Sequence, residues 1–335
     1  MNKNSRDDLN RLVGTLNIDM KALDVLDRQC REMKALAYVG VYFNNLFFTV
    51  EPADAACDEK DVLFREDTCL IVRRPDADLL KVAKIVRDNG LDIPSSHFLN
   101  LLPEPGFPLE TIFATHETIL DMAALVGLKR VTTHVGGIAV PQAAHAKRRP
   151  TPAEELVAKT ISYAEYTVRV RELYGKDRVL PDSIASYRHL CAEAAKRGII
   201  VTVETACSEL YEVNTRAESL IDLIRAVGAP NFGICVDAGH CHLNHLDVAD
   251  MIRRCGPHFL ETHFHDNFGD RDRHNPVGIG TINWLEVIAA LREIGYAGEI
   301  TFEQGDYVTN ARNWRLFLEQ KPLHRSPPSL PNLSP

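Results

Sequence analysis

FGICVDAGHCHLNHLDVADMIRRCGPHFLETHFHD (residues 232–266) holds two short apolar runs, 232–237 and 260–265, with a helical pattern between them. The first run finishes on Asp237 and the second on His265. A strand, a helix and a second strand in that order make one unit of a parallel sheet. Outward from this stretch the same alternation repeats, and further strands are expected at 12–18, 39–43, 91–97, 130–135, 199–204 and 299–303, eight in all. Two intervening helices show their period plainly. Ile184, Tyr187, Cys191 and Ala194 share one face, and Trp284, Val287, Leu291 and Ile294 share another. Eight strand–helix alternations predict an α/β fold closed as a (β/α)8 barrel. No G-x-G-x-x-G follows a strand and no G-x-x-x-x-G-K occurs, so nucleotide-binding sheets have no anchor here.

The 335 residues are 45% hydrophobic and 25% charged, which excludes disorder, collagen-like repeats and coiled coil. Barrels of this kind run past about 250 residues as one domain. The expectation is therefore a single domain over 1–321, with long insertions at 44–75 and 136–181, after the second and fourth strands, and a Pro/Ser-rich tail at 322–335. Both insertions leave the C-terminal end of a strand, which makes them lid or subunit-contact candidates; the first carries Phe47 and Phe48. The second holds the loop GGIAVPQAAHAKRRP and an expected extra helix near 153–173. The first ten residues contain no apolar export segment, and no stretch reaches the ~18 apolar residues of a membrane helix. Lys and Arg total 38 against 46 Asp and Glu, and the formal charge of -8 argues against an extended nucleic-acid surface. The eight cysteines include no C-x-x-C pair and read as reduced thiols. These features predict a cytoplasmic protein with no membrane partner.

Chemistry gathers at the strand ends. The third finishes at His97, the fourth at His134, the fifth at Glu204, the sixth at Asp237 with His240 just beyond, the seventh with His263, His265 and Asp266, and the eighth at Glu303. In a barrel these ends converge on one mouth. One such carboxylate can cap a helix, but six ligand-type endings are hard to explain as caps. Clustered carboxylates raise one another's pKa unless a cation sits among them. Two Glu, one Asp and one His suit Mn²⁺, Mg²⁺, Co²⁺ or Zn²⁺. His263 and His265 are two apart, so both face the barrel interior, one available to metal and the other to substrate, while Asp266 faces away and is free to orient a neighbour. In the loop DNFGDRDRHNPVGIGTINW, Asp272 and His274 are also two apart, and Arg271 and Arg273 offer forked donors for a carboxylate, phosphate or sugar oxygen.

VTVE, CVDAGH, HFHDNxGxxDxHxPxGxGxIxW and ITFE together resemble the xylose-isomerase-like TIM-barrel superfamily, strongest from 201 to 303, and within it the sugar and sugar-phosphate isomerases and epimerases. The resemblance implies one divalent ion held by Glu204, Asp237, His263 and Glu303, with Glu204 and Glu303 also the catalytic proton-transfer pair. It places His240 and His265 on substrate hydroxyls. It further suggests a homo-oligomer, dimer or tetramer, acting in carbohydrate metabolism on a small sugar or sugar-like molecule. His97 and His134 are candidates for substrate binding, a second metal site or packing. A second branch is similar too. The endonuclease IV type, which cuts at abasic sites in DNA, carries a three-zinc ligand set that falls on His97, His134, Glu204, Asp237, His240, His263, Asp272, His274 and Glu303. The flanks depart from that branch: SHFLN, VETAC and DAGH stand where it has other residues. The expected activity is thus a metal-dependent isomerase or epimerase working through proton transfer and a metal-stabilised enediolate. The alternatives are a lyase or dehydratase on a keto-sugar, inositol-type or 3-oxo-glycoside substrate, for which Phe47 and Phe48 suit a bulky aglycone, and a phosphodiesterase on abasic DNA.

Overall fold

The structure is a computed structural model that describes residues 8–65, 69–98, 109–134, 179–205, 216–321 and 323. The loop after the fourth strand, its expected helix near 153–173 and all of the C-terminal tail except Leu323 lie outside the described residues.

Eight parallel strands form the barrel: β1 (Leu12–Thr15), β2 (Tyr38–Tyr42), β6 (Ser95–His97), β7 (Arg130–His134), β8 (Ile200–Glu204), β9 (Phe232–Asp237), β10 (Phe259–His263) and β11 (Ile300–Phe302). One ladder runs β10-β9-β8-β7-β6 and another β11-β1-β2. Single bridges join the two ladders, Gly40 to Asp92 and Phe43 to Ser96 on one side and Phe264 to Phe302 on the other, so the ring closes. All eight expected strands are present, and the α/β barrel expectation holds. The sixth strand in the chain is shorter than its apolar run because Pro94 has no N–H for a ladder. Its carbonyl instead accepts from Lys129 N at 3.3 Å and Arg130 N at 3.1 Å.

Helices pack outside the strands. Those described are α1 (Leu23–Ala35), α2 (Asp76–Asp88), α3 (Leu109–Leu125), α4 (Val179–Lys196), α5 (Ala217–Val227), α6 (Ala238–Leu243), α7 (Val248–Cys255), α8 (Trp284–Glu293) and α9 (Tyr307–Leu318). On α4, Tyr187, Cys191 and Ala194 are buried, and on α8 so are Trp284, Val287 and Leu291, the faces the period marks. Cys30, Cys57, Cys191, Cys235, Cys241 and Cys255 carry free thiols. Among the described residues no helix is long and apolar enough to cross a membrane.

The insertion after β2 is an antiparallel sheet ordered β3-β5-β4, from β3 (Phe48–Pro52), β4 (Val62–Arg65) and β5 (Cys69–Arg73). Arg74, almost fully buried, ties its base down: Nε donates to Leu46 O at 2.8 Å and Nη2 to Asn45 O at 3.0 Å. Phe47 is fully buried in the core and Phe48 packs partly against it. Phe47 is therefore unavailable to a bulky aglycone.

Candidate metal centre

β6, β7, β8, β9 and β10 each end on a ligand-type side chain, and Glu303 follows β11 directly. Alternation along each strand turns these residues into the barrel, while Val201, Val203, Ile234 and Val236 face the helices. Glu204 is the hub. Its Oε2 lies 3.2 Å from His97 Nε2, 3.2 Å from His263 Nδ1 and 3.7 Å from His134 Nε2, and its Oε1 lies 3.3 Å from His240 Nδ1. Glu303 stands across His263, with Oε2 3.5 Å from the same Nδ1. The His97 and His134 rings stack at 5.1 Å.

A second group adjoins the first. Asp237 Oδ2 accepts from His265 Nε2 at 3.0 Å, and Asp272 Oδ2 lies 3.4 Å from His240 Nε2 and 2.9 Å from His274 Nε2. His265 and His274 stack at 4.1 Å. Asp237 is also the N-cap of α6, its Oδ1 accepting from His240 N at 2.6 Å. The capping role weighed against this residue is real, and it leaves the second oxygen for the site. Thr205 supports both: it holds Asp237 N through Oγ1 at 2.9 Å and takes His240 Nδ1 on its carbonyl at 2.9 Å.

The donor set fits a cation. Glu204 is fully buried, and among the described residues neither of its carboxylate oxygens has a hydrogen-bond partner of good geometry; the same holds for Glu303 Oε2 and for both His263 ring nitrogens. Buried polar atoms are normally paired, so the convergent carboxylate oxygens and His263 Nδ1 are placed as ligands of a cation would be. Subsets such as His97–His134–Glu204, His97–His263–Glu303 and Asp237–His240–His265 bring one donor atom each within 4.8 Å of one another. Protonation tells the same story. Burial opposes charge on Glu204, yet His263 and His134 hold it well below the usual carboxylate range. Burial likewise opposes charge on His263, but Glu204 and Glu303 push it up to about 10, and Asp272 helps raise His274 to about 9. Without a metal, imidazolium protons supply the positive charge these carboxylates need.

Of the substrate-binding candidates, His97, His134, His240, His265, Asp272 and His274 all join the cluster. Arg271 stands apart from these ion pairs and is exposed. Arg273 is taken by Asp270 through Nε at 2.9 Å. Asp266 faces away as expected and is structural. It accepts from Asn267 N at 2.9 Å, Gly278 N at 2.9 Å, Ile282 N at 3.2 Å and Trp284 Nε1 at 2.8 Å, fixing the loop that carries Asp272 and His274. Two buried residues at the centre escaped the sequence reading. Tyr42 sets its ring edge-on to His263 at 4.9 Å. Glu261 lies two residues before His263, and the alternation that pairs His263 with His265 would have found it.

A family model described as xylose isomerase-like TIM barrel matches residues 53–319. An uncharacterised protein of Methanocaldococcus jannaschii is 29% identical over 127 residues, 37% of this chain and 43% of that protein. A D-psicose 3-epimerase of Enterocloster bolteae is 29% identical over 122 residues, 36% of this chain and 38% of the relative. A probable endonuclease 4 of Mycoplasma mobile is 24% identical over 98 residues, 26% of this chain and 35% of the relative. The chain thus spans about two fifths of the length of the curated relatives it matches. Among solved structures, an L-ribulose 3-epimerase superposes with a TM-score of 0.60 at 16% identity, covering 91% of this chain and 94% of that one, a likeness of fold.

Proposed function

Because the chain belongs to the xylose isomerase-like TIM barrel family, we propose that it is a divalent-metal-dependent isomerase or epimerase of a small sugar or sugar phosphate. The observation that carries the reading is the placing of Glu204 and Glu303. They come from strands separated by two others and flank the same His263 Nδ1, at 3.2 Å and 3.5 Å. Glu204, Asp237, His263 and Glu303 would hold the ion, which supplies Lewis-acid polarisation of a ketose carbonyl and its neighbouring hydroxyl. One glutamate would take the proton from the C–H between those oxygens and the other would give a proton of its own, to the opposite face for epimerisation or to the neighbouring carbon, with the hydroxyl proton passing between the oxygens, for isomerisation. His240, His265, Asp272 and His274 lie beside that point and offer donors and acceptors to sugar hydroxyls. The ketose epimerases among the relatives support this choice of substrate class.

The test is metal content per chain, stripping and add-back, then a panel of ketoses in D₂O. One Mn, Co, Mg or Zn per chain and metal-dependent deuterium incorporation are expected. Exchange that proceeds unchanged in the stripped protein would overturn the assignment. One observation favours a second reading as a phosphodiesterase on abasic DNA: all nine positions of the endonuclease IV-type set fall in this cluster. Two or three zinc ions per chain, with cleavage of abasic DNA, would establish it. A cytoplasmic location and a dimer or tetramer belong to the same proposal, and light scattering tests the latter.

A further inference from the structure

The inside of such a barrel is commonly filled by branched apolar side chains. Here the layer beneath the donors is polar, with Ser95, Thr132, Thr202, Glu261 and Thr301 all fully buried. Glu261 is fastened at one oxygen. Its Oε2 accepts from Thr132 Oγ1 at 2.6 Å and Thr202 Oγ1 at 2.8 Å, and Arg130 Nε stands 3.6 Å away. Arg130 in turn donates to Glu299 at 2.7 Å, and Glu299 reaches the half-exposed Arg11 at 2.6 Å, so the buried carboxylate has a charge partner.

Among the described residues the other oxygen, Oε1, makes no hydrogen bond of good geometry, although the Ser95 hydroxyl stands close enough to favour the Glu261 charge, and His263 Nε2 makes none. The His263 ring turns Nδ1 toward Glu204 and Glu303, which leaves Nε2 on its far side. A Glu261 oxygen, a His263 ring nitrogen and Cys235 Sγ lie within 4.8 Å of one another. An unsatisfied buried acceptor and an unsatisfied buried imidazole nitrogen on side chains this close, yet with no nitrogen–oxygen pair near enough for an ion pair, can be joined by one water, and each is costly to leave unmade.

We propose that Glu261 is a positioning residue of the centre: its second oxygen takes the Nε2–H of His263 through one bridging water. The imidazole is thereby held in the tautomer that presents the Nδ1 lone pair to the metal. Glu261 itself touches neither metal nor substrate. The inference rests on reading His263 as a metal donor, and the experiment separates the two claims.

Metal-free full-length protein is titrated calorimetrically with Zn²⁺ alone, as wild type and as Glu261→Gln. The glutamine keeps an acceptor for both threonine hydroxyls but turns an N–H₂ toward Nε2, favouring the wrong tautomer. Zinc affinity is expected to fall roughly 10–100-fold, with the circular dichroism spectrum unchanged. In zinc-loaded wild type labelled with ¹⁵N-histidine, His263 should show a metal-bound Nδ1 and a protonated Nε2. An affinity within twofold of wild type, or a zinc-bound Nε2, overturns the proposal. If Glu261→Gln does not fold, the wild-type spectrum decides alone. Wild type that binds no zinc refutes the reading of the centre, and this inference with it.

Discussion

Gly239, in the first turn of α6, is the place where the centre is most sensitive to a single methyl. A Cβ built there would meet His265 Cε1 at 1.8 Å and Nδ1 at 2.3 Å. Carbon–carbon contacts settle near 3.5 Å, so the ring would have to retreat by about 1.7 Å. It has nowhere to go: it is 1% exposed, stacks on His274 at 4.1 Å and bonds Asp237 at 3.0 Å. Two effects compete in Gly239→Ala. Helix propensity favours alanine by roughly 1 kcal/mol. Overpacking costs about 1–3 kcal/mol, and a lost charge-assisted bond to Asp237 costs a further 1.5–3 kcal/mol or so. The clash wins, and a net loss of about 1.5–5 kcal/mol is expected, read by urea unfolding of metal-free protein at pH 7. In a His265→Ala background the obstacle is gone, so the same substitution should become neutral or stabilising. A Gly239→Ala protein as stable as wild type, with metal affinity unchanged, would refute the packing argument.

Four further outcomes are expected. Glu303→Gln should lower turnover of any accepted ketose by ~10²–10⁴-fold, measured at saturating metal. Asp266→Ala strands four N–H donors and should cost about 3–5 kcal/mol in unfolding free energy. Burial, aided by the neighbouring His189, pushes His116 down to about 3, so this group takes up a proton on unfolding between pH 6.5 and 3. Stability should then fall by about 1.4 kcal/mol per pH unit below 6.5, and His116→Leu should remove that slope in urea melts at pH 7 and 5. Because His263 is raised to about 10, it carries a proton at pH 7 that metal binding must expel. Calorimetry in buffers of different ionisation enthalpy should show at least one proton released per ion, with affinity tightening as pH rises toward 10; zero release would count against His263 as a ligand.

The strands were legible because each apolar run has the right length and ends on a polar residue, and a parallel barrel needs little else to declare itself. Strand ends could be matched to one mouth because fold closure, not sequence distance, sets which of them meet. What escaped depends on tertiary contacts. In the insertion after β2 the β3–β5 pairing skips over β4, and Arg74 clamps Leu46 and Asn45, beside the buried Phe47, from 28 and 29 residues away. Arg271 looked like a substrate clamp by composition, yet Asp266 fixes the loop so that Asp272 and His274 join the cluster and Arg271 stays exposed. Glu261 was missed for a different reason. The strand-end rule stops at the mouth, whereas period-two alternation continues down the barrel and puts a charge where an apolar residue is usual.

Charge balance ties these observations together. Glu204, Asp237, Asp272 and Glu303 converge, and among the described residues no Lys or Arg pairs with any of them. A structural core of that composition would place arginines where Arg130 stands, and the chain does so deeper in the barrel, for Glu261 and Glu299. At the mouth it uses imidazoles instead. An arginine cannot give up its charge, while an imidazolium can surrender its proton and become a ligand. The choice of histidine over arginine at this one level of the barrel supports the proposal of a centre that would exchange protons for a divalent cation.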